Sequence, residues 1–160
     1  MYNHANPDYK CPICLAINGV ESEDTMIKQS DIFFQDDHIL GIINSKYVVN
    51  NPGHIIIVSR QHFENIYDLP NEIGARIFNM SRIFAIGLKE IRKCDGITIR
   101  QNNEPASNQH AFHYHLHIFP RFENDNFEEL SQNTSVLEYK KRQEYASDLR
   151  RWISSNYKSL

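Results

Sequence analysis

The stretch that most constrains this chain is His113-Tyr114-His115-Leu116-His117-Ile118-Phe119-Pro120-Arg121, where imidazole and apolar side chains alternate. In extended backbone successive side chains point to opposite faces, so His113, His115 and His117 fall on one face and Tyr114, Leu116 and Ile118 on the other. That is the pattern of a half-buried strand with a row of imidazoles on its open side. Two residues of strand advance about 6.6 Å, so the row runs about 13 Å from His113 to His117. A zinc-bound nitrogen lies about 2.0–2.1 Å from its metal. Three rings so spread cannot all reach one ion, but they can line up along a phosphate chain.

The chain has 160 residues, 41% of them hydrophobic and 23% charged, which suits one soluble domain with one core. A net charge of −3 gives no general attraction to nucleic acid, so a nucleotide site must be local and no nucleic-acid partner is expected. No apolar run approaches the ~18 residues of a membrane span, and the N-terminus lacks a charged segment followed by an apolar one. A cytoplasmic protein with no membrane partner is therefore expected. Three cysteines, an odd count, argue against a secreted disulfide framework. Cys94 follows a helical pattern and reads as a buried or half-buried thiol. Cys11 and Cys14 form a Cys-x-x-Cys pair, which suits a metal site, a redox pair or two plain buried thiols.

Residues 1–10 are polar and expected to be loose, and Cys11-Pro12-Ile13-Cys14 opens the ordered region with a tight turn. Asp31 to Gln35 and His38 to Asn44 are rich in Ile and Phe around Asp36-Asp37, the pattern of a hairpin. Asn50-Asn51-Pro52-Gly53 is a strong break, and the β-branched run from His54 to Arg60 then reads as a central strand. A short helical piece is expected over Phe63 to Leu69. From Pro70 onward Ile73, Ile77, Met80, Phe84, Leu88 and Ile91 recur every three or four residues, the stripe of an amphipathic helix ending near Cys94-Asp95-Gly96. Gly96 to Gln101 makes another strand, with Ile97 and Ile99 on one face. Leu137, Tyr145, Leu149 and Trp152 mark a second amphipathic helix from about Thr134 to Asn156. Strands on short connections with one long helix among them predict an α+β fold with a mainly antiparallel sheet.

The histidine run resembles the signature of the histidine triad family of nucleotide hydrolases and transferases, with the zinc-containing bacterial-type branch as the nearest likeness. The likeness extends upstream through Asn102-Asn103-Glu104-Pro105-Ala106-Ser107-Asn108-Gln109 and back to Asn51-Pro52-Gly53-His54-Ile55-Ile56-Ile57-Val58, covering about Cys11 to Phe127. It implies a five-stranded, mainly antiparallel sheet with one long helix, commonly paired into a homodimer. On that reading residues 11–127 form the histidine triad domain and 128–160 a C-terminal helical extension of it.

Imidazole is largely neutral at pH 7, given an unperturbed pKa near ~6.5, and attacks phosphorus well when one nitrogen is free and the other holds its proton on a fixed acceptor. The resemblance makes His115 the nucleophile that forms a nucleotidyl-histidine at the α-phosphorus. It sets His117 against the phosphate or departing group, with His54 near that end of the site. It assigns Gln109 and Asn102 to the phosphates, Asn44 to the ribose and Ile42 to the base pocket of a purine nucleotide. It also joins Cys11, Cys14, His62 and His113 into a closed structural zinc site, with no catalytic metal. Implied substrates are nucleoside phosphoramidates or dinucleoside polyphosphates. His110 stands where a small hydroxyl residue is common, Asn108 replaces a glycine, and Ser59 replaces a proline. Two other readings stay open: a catalytic zinc held by His115, His117 and His54, and a nucleotide-binding or scaffold protein with slow turnover.

Overall fold

Asp36 closes the expected hairpin, its Oδ1 accepting from the backbone N–H groups of His38 at 2.8 Å and Ile39 at 2.9 Å. In the computed structural model, which describes residues 2–157, the hairpin joins Ile32–Gln35 (β1) to Ile39–Ile43 (β2). Met1 of the expected loose N-terminus and residues 158–160 of the expected C-terminal extension lie outside the described residues. Residues 2–10 form no helix or strand, yet Phe112 N–H donates to the Tyr9 hydroxyl at 3.0 Å and Asn65 Nδ2 to the Tyr2 carbonyl at 3.2 Å.

Pro12–Ile17 is a short helix (α1) whose first turn is capped by the Cys11 sulfur. After the hairpin come Lys46–Val48 (β3), Ile55–Ser59 (β4), the 22-residue helix Asn71–Arg92 (α2), Gly96–Gln101 (β5) and His115–Arg121 (β6). A single turn at Phe127–Leu130 (α3), Thr134–Val136 (β7) and the helix Tyr139–Asn156 (α4) complete the chain. The main sheet has the order β1-β2-β4-β6-β5, and every pairing is antiparallel. The fold is α+β, as the sequence led one to expect. Among the described residues no helix is long and apolar enough to cross a membrane.

Both faces of the central strands are covered, which explains their unbroken Ile/Val runs. On one face Ile39, Ile43, Ile55, Ile57, Leu116 and Ile118 pack against the α2 stripe and Ala146, Leu149 and Ile153 of α4. Burying each such side chain contributes about 1.5–3 kcal/mol. On the other face Leu40, Ile42, Ile56 and Val58 pack under Ile13 and Ala16 of α1 and Ile27. That second layer covers part of the sheet and leaves the region over β6 to the histidines.

Three expectations are corrected. Phe63 to Leu69 is not helical: it is a string of bends and turns whose Phe63 carbonyl accepts from Tyr114 N–H at 2.6 Å. The C-terminal helix starts at Tyr139 rather than near Thr134, because Thr134–Val136 is drawn into a ladder with Lys46–Val48. The histidine strand begins at His115, and His113 lies in the bend before it, where its N–H donates to the Ala111 carbonyl at 2.9 Å.

Candidate active site

β6 presents His115, His117 and Phe119 on its open face, with ring centroids 4.8 Å apart for the first pair and 5.5 Å for the second. Across β4, His54 sits just before the strand and brings its ring to 5.5 Å from His117 and 4.3 Å from Phe119. These side chains floor a cavity of about 460 Å³ whose rim includes Asn44, Asn102, Asn108 and His110. Lys46 and Val48 of β3, with Ser131, Gln132 and Thr134 of the segment paired to it, form the far wall.

His115 Nδ1 lies 2.7 Å from the His113 carbonyl oxygen. A carbonyl only accepts, so Nδ1 carries the proton and Nε2 keeps a lone pair. Burial lowers the basicity of His115, against the pull of that hydrogen bond, and His110 adds to the lowering. Burial pushes His54 down to about 3, helped by the Arg100 charge and by His115. His117 is held well below its ordinary value by burial, then by His115, His54 and Arg100. All three rings are neutral at pH 7. Both His54 ring nitrogens and His117 Nδ1 are buried with no hydrogen-bond partner.

Arg100 supplies the positive charge at this floor. It stands opposite His117 in the β5–β6 register, its guanidinium 5.3 Å from the Phe119 centroid. Sequence reasoning did not single it out, although the signal was present: with Ile97 and Ile99 on one face of β5, Arg100 must occupy the other. Phe119 continues the same period of two. Ser131, Gln132 and Thr134 carried no comparable sign, because a three-residue ladder brings them here.

Two expected nucleotide contacts fall elsewhere. Gln109 is buried beside the pocket loop with both ends of its amide engaged. Its Oε1 accepts from Glu104 N–H at 2.6 Å, and its Nε2 donates to the carbonyls of Glu64 at 2.6 Å and Ala111 at 3.2 Å. It shapes the loop and has no free group for a phosphate. Ile42 shares the histidine face of the sheet, through Ile56 to His117, but is sealed in the second apolar layer. Asn44 and Asn102 do reach the pocket. Asn44 Nδ2 donates to the Lys46 carbonyl at 2.7 Å and Asn102 Nδ2 to that of Asn108 at 3.3 Å, which leaves both side-chain oxygens open.

The bend at His113 turns its ring away from the row. Its Nε2–H donates to the Ser59 carbonyl at 2.8 Å, leaving Nδ1 at 3.4 Å from Cys11 Sγ and 3.5 Å from Cys14 Sγ. His62 Nδ1 lies 3.3 Å from Cys14 Sγ, and the four donor atoms fall within 4.8 Å of one another. Zinc bonds of about 2.0–2.3 Å place ligand atoms of a tetrahedron about 3.3–3.8 Å apart, close to these spacings. Burial, with the adjacent Cys11 sulfur, pushes the Cys14 thiol up to about 12, so a thiolate here needs a cation beside it. Among the described residues, His54, His115 and His117 do not form such a group.

The HIT domain family model matches residues 26–124. "Protein hit" of Bacillus subtilis is 28% identical over 56% of this chain and 60% of its own length. The bis(5'-adenosyl)-triphosphatase of Saccharomyces cerevisiae is 28% identical over 62% of this chain, which spans about half (48%) of that protein. Among solved structures, a Hit-like protein from Bartonella henselae superimposes with a TM-score of 0.75 at 26% identity, covering 92% of this chain and 98% of that one. A zinc-bound histidine triad family protein from Mycobacterium smegmatis gives 0.73 at 24% identity, covering 94% and 98%.

Proposed function

The chain belongs to the HIT domain family, and from that membership we propose that it hydrolyses nucleotides at the α-phosphorus through a covalent bond to His115 Nε2. The observation that carries this reading is the 2.7 Å contact between His115 Nδ1 and the His113 carbonyl, which frees Nε2 over the pocket in a neutral ring. The Nε2 lone pair forms the N–P bond as the bond from phosphorus to the leaving group breaks. The positive charge that develops on the ring is held by the same carbonyl. Water then attacks phosphorus, the N–P bond breaks, and the nucleoside monophosphate departs while the lone pair returns to Nε2. In this reading Asn44 holds the ribose and Asn102 a phosphate oxygen, which is supported by their both lining the pocket. The yeast relative named bis(5'-adenosyl)-triphosphatase supports a substrate of the dinucleoside polyphosphate class.

Cys11, Cys14, His62 and His113 would hold one zinc ion in a closed tetrahedral site with no open position, so its contribution is structural. The donor spacings and the outer hydrogen bond from His113 to Ser59 support this, as does the zinc-bound relative. A homodimer is supported by the unpaired outer edge of β5, by exposed Ile99 beside it and by Phe78 on α2, which is 71% exposed. Sedimentation at several concentrations tests it.

The test of the hydrolase reading is a trapped adduct. Wild-type protein mixed with a dinucleoside polyphosphate or a nucleoside phosphoramidate, then denatured in alkali, should carry a nucleotidyl group on the peptide containing His115. His115→Ala should carry none and should lose turnover while still binding a mononucleotide. Turnover retained by His115→Ala sinks the mechanism.

A further inference from the structure

We propose that Arg100 receives a second anionic group of the substrate, beyond the scissile phosphate, and so favours leaving groups that carry their own negative charge. The next phosphate of a polyphosphate chain is such a group; a neutral amine or alcohol is not. This inference rests on the hydrolase reading of the same pocket and names its substrate class.

Arg100 makes no ion pair among the described residues, and its Nε is buried without a hydrogen-bond acceptor. No carboxylate lines the cavity. Around the guanidinium stand Phe119, and past it His54, which is 4% exposed with both ring nitrogens unpartnered, and His117 with Nδ1 unpartnered. No carboxylate faces Arg100 in the cavity, and the two neutral rings beside it each leave polar nitrogen unsatisfied. Partly buried donors without partners destabilise the empty protein, so their presence is explained by a ligand that accepts from them. An arginine fork fits two oxygens of one phosphate at once, which a point-charge ammonium does not.

Position decides which part of the ligand that is. In the strand order β2, which Asn44 follows, lies on one side of β6 and β5 lies on the other. Arg100 is in register with His117, one step along β6 from the attacking ring of His115. With the ribose at Asn44 and the α-phosphorus at His115 Nε2, the atoms beyond that phosphorus are the ones directed across β6 toward Arg100. Those are the atoms that leave. Lys46 lines the β3 wall of the cavity; on the β5 side, where the nearby imidazoles are neutral at pH 7, the full positive charge is that of Arg100.

The test compares two ligands that share a nucleoside and differ by one anion: AMP and α,β-methylene ADP, whose bridge resists cleavage. Calorimetric titration of the wild-type protein should show the methylene diphosphate binding about tenfold or more tightly than AMP. Arg100→Gln should abolish that preference, and Arg100→Lys should leave a reduced one. Equal affinity of wild type for the two ligands overturns the proposal, as does a preference that survives undiminished in Arg100→Gln. Should the Gln variant fail to fold, Arg100→Lys decides: a lowered preference supports the assignment and a full one overturns it. Failure of the hydrolase reading looks different, with no adduct and no turnover in wild type but an Arg100-dependent preference intact.

Discussion

Arg142→Met would strip the counter-charge from a carboxylate that water does not reach. Asp31 is fully buried and the Arg142 side chain is 7% exposed, with one guanidinium nitrogen 2.8 Å from Asp31 Oδ2. The same nitrogen donates to Ser45 Oγ at 2.7 Å and to the Met26 carbonyl at 2.9 Å. Burial already pushes the Asp31 carboxyl above its usual range, while Lys28 N–H and Arg142 pull it down. Met keeps most of the apolar stem, so the charge is what is lost. Removing one partner of a buried pair costs about 3–5 kcal/mol. At about 2–4 °C per kcal/mol for a chain of this size, Tm should fall by about 6–20 °C. The sign of the pH dependence follows from a folded pKa above the unfolded one. Ionised Asp31 opposes folding at neutral pH, and the opposition fades as pH falls through the folded value. Without Arg142 that value rises further, so the gap between variant and wild type should narrow from pH 7 to pH 5. Urea denaturation at both pH values measures this, and Asp31→Asn added to Arg142→Met should recover part of the loss at pH 7. A loss equal at both pH values and untouched by Asp31→Asn would mean that packing, not the unpaired charge, holds α4 in place. Because Ser45 lies between the rim residues Asn44 and Lys46, Arg142→Met should also raise KM for nucleotide.

On the proposed zinc reading, Cys14→Ser should bring zinc content well below one per chain and slow turnover about 10- to 100-fold, since His113 would carry both a zinc-binding nitrogen and the carbonyl that accepts from His115. Metal analysis beside kcat checks it, and an unchanged kcat in zinc-free protein refutes the coupling. Gly53→Ala should lower stability by about 1–3 kcal/mol in a thermal melt, because φ is +81° and the added Cβ would lie 2.7 Å from the Tyr145 ring. Asp125→Asn should cost about 1.5–3 kcal/mol at pH 7, since its carboxylate accepts from Arg121, Asn51 and the N–H groups of Phe122 and Phe127. Those contacts, Arg121 first, hold the Asp125 pKa far below its ordinary value. The stability it contributes is present above the unfolded pKa and lost as pH falls toward the folded one, so the variant should match wild type in strong acid.

Much of this architecture is written in local periodicity. The period of two at His115, Leu116, His117 and Ile118 sets which side chains face the pocket and which face the core. The stripe of Ile73, Ile77, Met80, Phe84 and Leu88 marks the buried side of α2, and Asp36 marks the hairpin. Steric alternation and helical repeat act between neighbours in sequence, so a reader of the sequence alone can use them. The same reasoning carries Arg100 to the pocket face once Ile97 and Ile99 are assigned to the opposite face of β5.

What the chain order does not contain is which distant segment closes over each face. His113 leaves the imidazole row because Phe63 holds the N–H of Tyr114, 51 positions later, and because Ser59 accepts the His113 ring proton. The Gln109 amide is engaged within the loop because Glu64 and Glu104 meet it there. The far wall of the pocket exists only because Thr134–Val136 finds Lys46–Val48 across more than eighty residues. Each of these is a hydrogen bond between groups that periodicity leaves equally free. Tertiary closure, which must pair every buried donor and acceptor at once, makes the choice.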